Sequence, residues 1–211
     1  MANYLIKDTT LSNIANSIRN KTGSTEKIKV ADMANEISGI TTGGGGDTDV
    51  EDGLVTRQLT SYTNDRVTSI GSDAFMYCTS LTTVNFPACK SIGASAFAYC
   101  SRLTTVSFPA CKSIGSYAFS NCTSLTTASF PVCTSIRGFA FSKCYNLSQL
   151  TLGASRVCTL AHSNAFLFTP FAGYSASFSG TPVIYVTASL VNVYKTATNW
   201  TYFSKYIQAI E

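Results

Sequence analysis

The chain has 211 residues and a formal net charge of +4, and only 12% of its residues are charged. Its basic residues are scattered rather than clustered, which excludes the basic stripe of a nucleic-acid-binding surface. No run approaches the roughly 18 apolar residues of a membrane span, and the first ten residues lack the basic start and apolar run of a secretory signal, so we expect synthesis and folding in the cytoplasm.

Residues 1–40 are predicted to form a separate helical module. Leu11, Ile14 and Ile18 recur at helical spacing, and residues 30–38 carry a second, shorter apolar stripe. Two short helices bury too little surface to be stable alone. We therefore expect this module to pack on itself, on another copy of the chain or on a partner protein.

A Gly-rich acidic linker is predicted over residues 41–53, because four consecutive glycines there are followed by an acidic run with nothing to bury. The helical module is thus expected to be tethered to the rest of the chain rather than fused to it.

One 22-residue unit then repeats almost unchanged. Its copies are IGSDAFMYCTSLTTVNFPACKS from Ile70, IGASAFAYCSRLTTVSFPACKS from Ile92 and IGSYAFSNCTSLTTASFPVCTS from Ile114, and a fourth copy from Ile136 keeps the skeleton and then drifts. A fixed period of this length is typical of a solenoid in which each unit forms one coil that cannot bury its apolar face alone.

Stacked coils place equivalent residues in columns. The predicted leucine ladder is Leu81, Leu103, Leu125 and Leu147, and the predicted phenylalanine ladder is Phe75, Phe97, Phe119 and Phe141. Apolar residues alternate with polar ones up to Phe86, and the residues before it are rich in Thr and Val. This pattern predicts a short strand in each coil, which Pro87 ends in the first coil. Each buried Phe contributes about 1.5–3 kcal/mol, so we expect the aromatic column to fix the register.

Residues 54–69 resemble an incomplete coil that closes one end of the stack, with Leu59 under Leu81, Tyr62 under Val84 and Val67 under Cys89. The second position of the first three full coils is a glycine (Gly71, Gly93 and Gly115), and in the fourth coil it is Arg137. If this position needs a left-handed backbone, Arg137 is strained there.

A fifth, altered coil follows. Leu150 and Leu152 keep their columns, and Cys158 is assigned to the Ile column. Ala165 and Phe166 lie beyond the positions that the repeat predicts, which indicates an insertion near His162 and Ser163. The predicted solenoid therefore extends over residues 54–180.

A structural cap is predicted over residues 181–211. Val183 to Val186 indicates a last strand, and Thr187 is expected to cap a helix that carries Leu190, Val191, Tyr194 and Ala197. Trp200, Tyr206 and Ile207 are expected to cover the open end of the stack.

The motif IGxxAFxxCxxLTxVxFPxC at a period of 22 resembles the BspA-like leucine-rich repeats of bacteria and their phages, over about residues 54–180. The segment IYVTASLVNVYKTATNW is similar to the end of such proteins. The opening 40 residues resemble the N-terminal helical segment of many tail-associated and minor structural proteins of phages and prophages of Gram-positive bacteria. The resulting fold class is an α+β repeat, a leucine-rich-repeat solenoid with a helical module before it and a strand-helix cap after it.

The eight cysteines fall in two columns plus Cys158. We favour buried thiols, although the ladder spacing leaves disulfides between neighbouring coils open. No Cys-x-x-Cys occurs and His162 is the single histidine, so neither a zinc site nor another cofactor is expected. Carboxylates are nearly absent from the repeats, which leaves little for a general acid–base pair, and we expect no enzyme activity.

Function is therefore expected to lie on the surface. The candidate binding residues are a tyrosine pair and two polar strand-face columns: Tyr77, Tyr99, Thr83, Thr105, Thr127, Asn85, Ser107 and Ser129. A solvated face with good strand propensity is the alternative interpretation of the two columns. Exposed tyrosines suit glycan or protein contacts.

These observations predict a non-enzymatic virion protein of a phage or prophage, tail-associated, whose solenoid binds a host cell-surface protein or glycan. Residues 1–40 would attach it to other virion proteins or assemble it into a homo-oligomer, with a trimer favoured. The alternative is a bacterial protein-interaction or surface adhesin module with no virion role, although an adhesin needs a secretion route.

Overall fold

We analysed a computed structural model, which describes residues 60–65, 67–174 and 180–210. The predicted helical module (1–40), the linker (41–53) and Leu59 lie outside the described residues. The coils that follow stack through two parallel sheets, one on each side of a common apolar core.

The long sheet takes one strand from each coil. In spatial order its strands are β1 (Ser61–Thr63), β3 (Thr83–Asn85), β5 (Thr105–Ser107), β7 (Thr127–Ser129), β9 (Gln149–Leu152), β11 (Val183–Val186) and β12 (Ile207–Ala209). Every neighbouring pair is parallel, and from β1 to β9 each residue pairs with the residue 22 positions later. The predicted strand in each coil and the placement of Tyr62 under Val84 are therefore confirmed.

The short sheet was not anticipated from the sequence. Its two-residue strands are β2 (Ser69–Ile70), β4 (Ser91–Ile92), β6 (Ser113–Ile114), β8 (Ser135–Ile136) and β10 (Thr159–Leu160). In each of them the second residue, an Ile or Leu, is buried.

The predicted ladders form the core. The four leucines are fully buried, and the phenylalanine rings of successive coils stack at centroid distances of 5.0, 5.2 and 5.3 Å with nearly parallel planes. A second buried ladder, Phe86, Phe108 and Phe130, packs obliquely against the first. Each inner ring thus contacts rings above, below and beside it.

The left-handed backbone considered for the glycine column is wrong. None of the three glycines has a positive φ. Instead, a Cβ at Gly93 would lie 2.6 Å from the carbonyl carbon of Gly71, and one at Gly115 would lie 2.5 Å from that of Gly93. The column is glycine because neighbouring backbones approach closely, and Arg137 carries no left-handed strain.

Left-handed residues occur elsewhere in the coil, in two other columns. The first contains Asp73, Ser95, Tyr117 and Phe139, with φ from 53 to 59°, and the second contains Tyr77, Tyr99, Asn121 and Lys143, with φ from 60 to 64°. For a residue other than glycine this conformation costs about 1–2 kcal/mol. Inter-coil hydrogen bonds, such as Tyr99 N–H to Ser120 O at 2.8 Å, hold it in place.

The fifth coil corrects the assignment of Cys158. Leu160, not Cys158, pairs with Ile136 and occupies the Ile column. The Cys158 Sγ lies 3.8 Å from the Cys133 Sγ and continues the second cysteine column. Leu160 follows Ile136 by two residues more than the 22-residue period, so most of the insertion lies between Leu152 and Leu160. One further residue is inserted between Leu160 and Phe166, which confirms in part the insertion predicted near His162.

The cap contains the predicted strand β11 and one short α-helix, α1 (Val191–Thr196), preceded by a 3-10 turn (Ala188–Leu190). A six-residue 3-10 helix, Thr201–Tyr206, follows before β12. The capping role of Thr187 is wrong, because its hydroxyl donates to Ala154 O at 3.0 Å and makes no cap hydrogen bond. The helix begins only at Val191, so Leu190 precedes it and Ala197 follows it.

Trp200 closes the end of the stack, as predicted. Its ring packs near Phe166, the last member of the phenylalanine ladder, at a centroid distance of 6.0 Å, and its Nε1 donates to Cys158 O at 2.7 Å. The Tyr194 hydroxyl accepts from Cys158 N at 2.8 Å. Tyr206 and Ile207 are also buried, and Ile207 begins β12.

Candidate binding surface

The strand-face candidates form two straight polar columns on the long sheet. Thr83, Thr105 and Thr127 align with Gln149, and Asn85, Ser107 and Ser129 align with Thr151. The first two members of each column are exposed and the third is half-buried. The valine or alanine between the columns points into the core, so the face alternates as a half-buried strand should.

Hydroxyl hydrogen bonds between coils run beside these columns. Thr82 Oγ1 donates to Thr60 O at 2.7 Å, Thr104 Oγ1 to Thr82 O at 3.3 Å and Thr126 Oγ1 to Thr104 O at 3.1 Å. These side chains connect each coil to the one before it. The neighbouring threonines thus already have a structural role, whereas the outward columns present hydroxyl and amide groups to solvent.

The tyrosine candidates lie at a left-handed turn of the coil rather than on the strands. The Tyr77 and Tyr99 rings stack at 4.7 Å, and the two side chains are 43% and 40% exposed. A second outer pair lies in the other left-handed column, in the third and fourth coils, where Tyr117 and Phe139 stack with ring centroids 4.9 Å apart and an interplanar angle of 7°.

The two outer aromatic pairs border a groove of about 380 Å³, which we call the aromatic groove. Its lining residues are Met76, Ser95, Ala98, Tyr99, Tyr117, Ser120, Asn121, Phe139, Ser142, Lys143, Leu167 and Phe168. Of the predicted site residues only Tyr99 lines it; Tyr77 stacks on Tyr99 from outside, and the six strand-face residues are not part of it. The structure therefore separates the predicted set into two surfaces.

The floor of the aromatic groove is apolar at Ala98 and polar at Ser120 and Ser142. Ser120 and Ser142 are buried, with their Oγ atoms 3.1 Å apart, and Asn121 Nδ2 donates to Ser120 Oγ at 3.0 Å. Apart from the aromatic residues and the cysteines, Thr169 is the one other buried residue with a polar side chain in the described part of the chain. Buried hydroxyls at the base of an aromatic cleft provide the few directional contacts that small-molecule sites use.

Sequence reasoning missed Tyr117, Phe139 and Phe168. The signal was present, because the column that contains Asp73 and Ser95 changes to Tyr117 and Phe139 in the next two coils. Phe168 could also have been found, because it follows Phe166 by two residues as Lys143 follows Phe141.

A smaller hollow of about 270 Å³ lies at the C-terminal end of the strand face, lined by Gln149, Thr151, Tyr185 and Ile210. It continues the second polar column, because Tyr185 pairs with Thr151 in the long sheet. Its lining contains no ionisable group other than the Tyr185 phenol.

The residues considered for catalysis and metal binding have structural surroundings. His162 Nδ1 accepts from Asn164 N at 3.1 Å and caps the 3-10 helix Ser163–Phe166. Within the described ranges, no group of three or more His, Cys, Asp or Glu side chains could hold a metal ion. Likewise, none of the helices described there is long and apolar enough to cross a bilayer.

The cysteines are held as buried thiols rather than disulfides. Cys100, Cys122 and Cys144 each donate to the carbonyl of the Phe 25 residues earlier, at 3.0–3.1 Å. Burial raises the pKa of Cys111 to about 12. The hydrogen bond that Cys158 donates to Cys133, together with burial, also raises the pKa of Cys158. Cys111 and Cys158 are therefore poor nucleophiles at neutral pH, whereas the hydrogen bond from Cys158 lowers the pKa of Cys133.

Comparison with protein families gives one match. The model of the BspA type leucine rich repeat region matches residues 57–170, in six copies. The match covers the incomplete first coil, the four regular coils and the altered fifth one. No curated protein matches the chain.

Proposed function

The chain belongs to the BspA-type leucine-rich-repeat family, which indicates a protein-interaction or adhesion module, and we propose that its solenoid binds a ligand on a cell surface without catalysing a reaction. More specifically, we propose a tail-associated virion protein of a phage or prophage that recognises its host in this way.

The observation that carries the binding proposal is the aromatic groove. Tyr99, Tyr117 and Phe168 remain 40%, 45% and 42% exposed although they lie in costly left-handed conformations. A groove of aromatic walls on a stack that is hydrogen-bonded from coil to coil is preorganised, so little conformational entropy is lost when a ligand binds.

The virion part of the proposal is supported by the sequence of residues 1–40, which resembles the N-terminal helical segment of phage structural proteins. We propose that this segment attaches the chain to other virion proteins or assembles it into a trimer. The solenoid would then project the groove and the strand face outward in several copies, and multivalency would raise the avidity of a weak single site.

The alternative is a bacterial interaction module or surface adhesin with no virion role. Family membership supports this alternative as well as it supports the virion proposal, because it concerns the repeat region alone. The position of the gene among tail genes would favour the virion, whereas an isolated position would favour the alternative.

Surface binding is tested by incubating the fluorescently labelled full chain with a panel of intact Gram-positive strains and measuring bound protein by flow cytometry. We expect saturable binding to a subset of strains, which unlabelled chain abolishes by competition. If no strain binds the chain, the proposed function is overturned.

The virion role has a separate test. A strain that carries the gene is induced for prophage, particles are purified on a density gradient, and tryptic peptides of the chain are sought by mass spectrometry. We expect these peptides to co-sediment with tail proteins. Their absence from intact particles would leave the interaction module as the correct description.

A further inference from the structure

We propose that the aromatic groove is a carbohydrate-binding site, in which a pyranose ring lies against the exposed tyrosine rings while its hydroxyls contact the polar residues of the floor. This proposal rests on the proposed function of surface binding and names the chemical class of the ligand.

The first argument is the choice of residues at the left-handed positions. Gly and Asn adopt a positive φ most readily, yet five of the nine left-handed residues of the coils are aromatic: Tyr77, Tyr99, Tyr117, Phe139 and Phe168. Four of these five are at least 40% exposed, so burial offsets little of the conformational cost. Their retention on the surface is explained by contact with a ligand.

The second argument is the pairing of ring faces with hydroxyls. The face of an aromatic ring carries negative partial charge and attracts weakly positive groups. The C–H bonds on one face of a pyranose are such groups, while its hydroxyls require hydrogen-bond partners. Ser120, Ser142 and Asn121 place two hydroxyls and one amide at the base of the same groove.

The third argument concerns charge and size. Lys143 is the single charged residue that lines the groove, so a neutral sugar or one with a single acidic group fits, whereas a polyanion does not. The volume of about 380 Å³ lies within the range of roughly 300–1,000 Å³ found for small-molecule sites. A short saccharide segment therefore matches the groove.

A peptide strand fits less well. Extended peptides bind by adding main-chain hydrogen bonds to an open sheet edge. Here the backbone N–H groups of Tyr99, Tyr117 and Lys143 already donate to carbonyls of the next coil, at 2.8, 3.2 and 2.8 Å. The groove thus offers side chains rather than backbone groups, which is the contact that a saccharide uses.

The first test separates the ligand class from surface binding itself. Strains that bind the labelled full chain are treated either with mild periodate, which cleaves the vicinal diols of sugars, or with protease. Binding lost after periodate, with or without loss after protease, supports a glycan. Binding that survives periodate overturns the carbohydrate proposal and leaves surface binding intact, whereas untreated strains that never bind overturn the proposed function.

The second test uses substitutions that the chain itself supplies. Asn121 follows Tyr99 in its column and Ser95 precedes Tyr117, so the double variant Tyr99→Asn, Tyr117→Ser replaces both rings with residues that this backbone already accepts. We expect at least a tenfold loss of cell binding, with an unchanged melting temperature to within a few degrees. Tyr202→Asn is the control, because Tyr202 is the most exposed tyrosine among the described residues, at 70%, and lies outside the groove. This variant should bind within twofold of the wild type.

A readout on the purified full chain is independent of the strains chosen. Saturation-transfer NMR is recorded with N-acetylglucosamine, N-acetylgalactosamine, glucose, galactose and rhamnose as probes. Transfer from the wild type that disappears in the double variant but persists in Tyr202→Asn supports the site. Saturation transfer to none of the sugars, or equal transfer from all three proteins, overturns the proposed site.

Discussion

Aromatic rings stack along the solenoid both in the core and on the surface: the inner ladder is the column from Phe75 to Phe166, and the outer ladder consists of two pairs in the two left-handed columns. The inner phenylalanines stack at 5.0–5.5 Å from Phe75 to Phe166, and the outer pairs Tyr77–Tyr99 and Tyr117–Phe139 stack at 4.7 and 4.9 Å. The spacing is nearly the same because both ladders follow the distance between coils. The surroundings differ, since the inner rings are at most 6% exposed and Tyr77, Tyr99 and Tyr117 are at least 40% exposed.

This difference shows that stacking geometry alone does not reveal what a ring does. An inner ring gains burial and contacts on several sides, so its removal leaves a cavity. An outer ring gains one stacking partner, worth about 0.5–1.5 kcal/mol, and loses about as much to its left-handed backbone. The inner ladder therefore stabilises the stack, and the outer one is available for binding.

The largest predicted effect is at the centre of the inner ladder. Phe119 contacts Phe97, Phe108, Phe130 and Phe141 and is fully buried. We expect Phe119→Ala to lower the free energy of unfolding by about 3–5 kcal/mol, measured by urea denaturation followed by circular dichroism. Phe139→Ala, in the outer ladder, is the control, and an equal loss there would contradict the distinction between the two ladders.

The next effect tests the coil spacing that both ladders share. The methyl group of Gly115→Ala would lie 2.5 Å from the carbonyl carbon of Gly93 and 2.6 Å from Ala94 N, and neither backbone atom can move without separating the coils. We expect a loss of about 1–3 kcal/mol, again from urea denaturation.

Gly138→Ala is the matched control, because its methyl would meet only the side-chain oxygen of Asn164, at 3.3 Å. A Gly138→Ala variant as unstable as Gly115→Ala would mean that close backbone approach is not the reason for the glycine column.

Sequence reasoning worked where the side-chain pattern decides the structure. A 22-residue period and buried Leu and Phe columns fix the register, so the strands of the long sheet could be predicted to within a residue or two. The tyrosine pair was also found, because Tyr77 and Tyr99 repeat at the same period. In these cases one apolar or aromatic column corresponds to one line of contacts.

Backbone conformation and side-chain competition were harder to predict. A positive φ is expected at glycine, but in the coils Tyr117 and Phe139 have a positive φ. The glycine column instead lies where the backbones of neighbouring coils approach closely. Cys158 lies 22 residues after Ile136 and is a small residue that packs well in a core, so neither the period nor burial could show that Leu160 takes the Ile column. Thr187 precedes a helical segment, as a capping residue does, but its hydroxyl donates its hydrogen bond to Ala154 O instead.

A third prediction concerns the thiols that share the interior with the inner ladder. Burial raises the pKa of Cys111 from 9.0 to about 12. Between pH 9 and pH 12 the Cys111 thiol is deprotonated in the unfolded chain but still protonated in the native state. The contribution of this thiol to the free energy of unfolding is therefore fully present below pH 9 and declines as the pH rises towards 12. We expect a decline of about 1 kcal/mol per pH unit above pH 9 from this group.

The comparison that isolates Cys111 is between the wild type and Cys111→Ala, with urea midpoints measured at pH 7.5, 9 and 10.5. The variant should be less stable at pH 7.5, because it loses buried volume, and the gap should narrow as the pH rises. A gap that stays constant would show that the thiol titrates equally in both states.

The smallest predicted effect on stability is at the outer ladder. Tyr99→Asn removes the stack with Tyr77 but places at φ 63° a residue that tolerates the left-handed region better than tyrosine does. We expect the lost stacking energy and the relieved backbone strain to offset each other, so that the free energy of unfolding changes by less than about 1 kcal/mol. The measurement is the same urea denaturation as for Phe119→Ala. A loss approaching that of Phe119→Ala would place Tyr99 in the stabilising core, and its position at the groove would then need no ligand to explain it. A small loss of stability together with a large loss of cell binding would show that the inner ladder stabilises the stack and that the outer ladder binds the ligand.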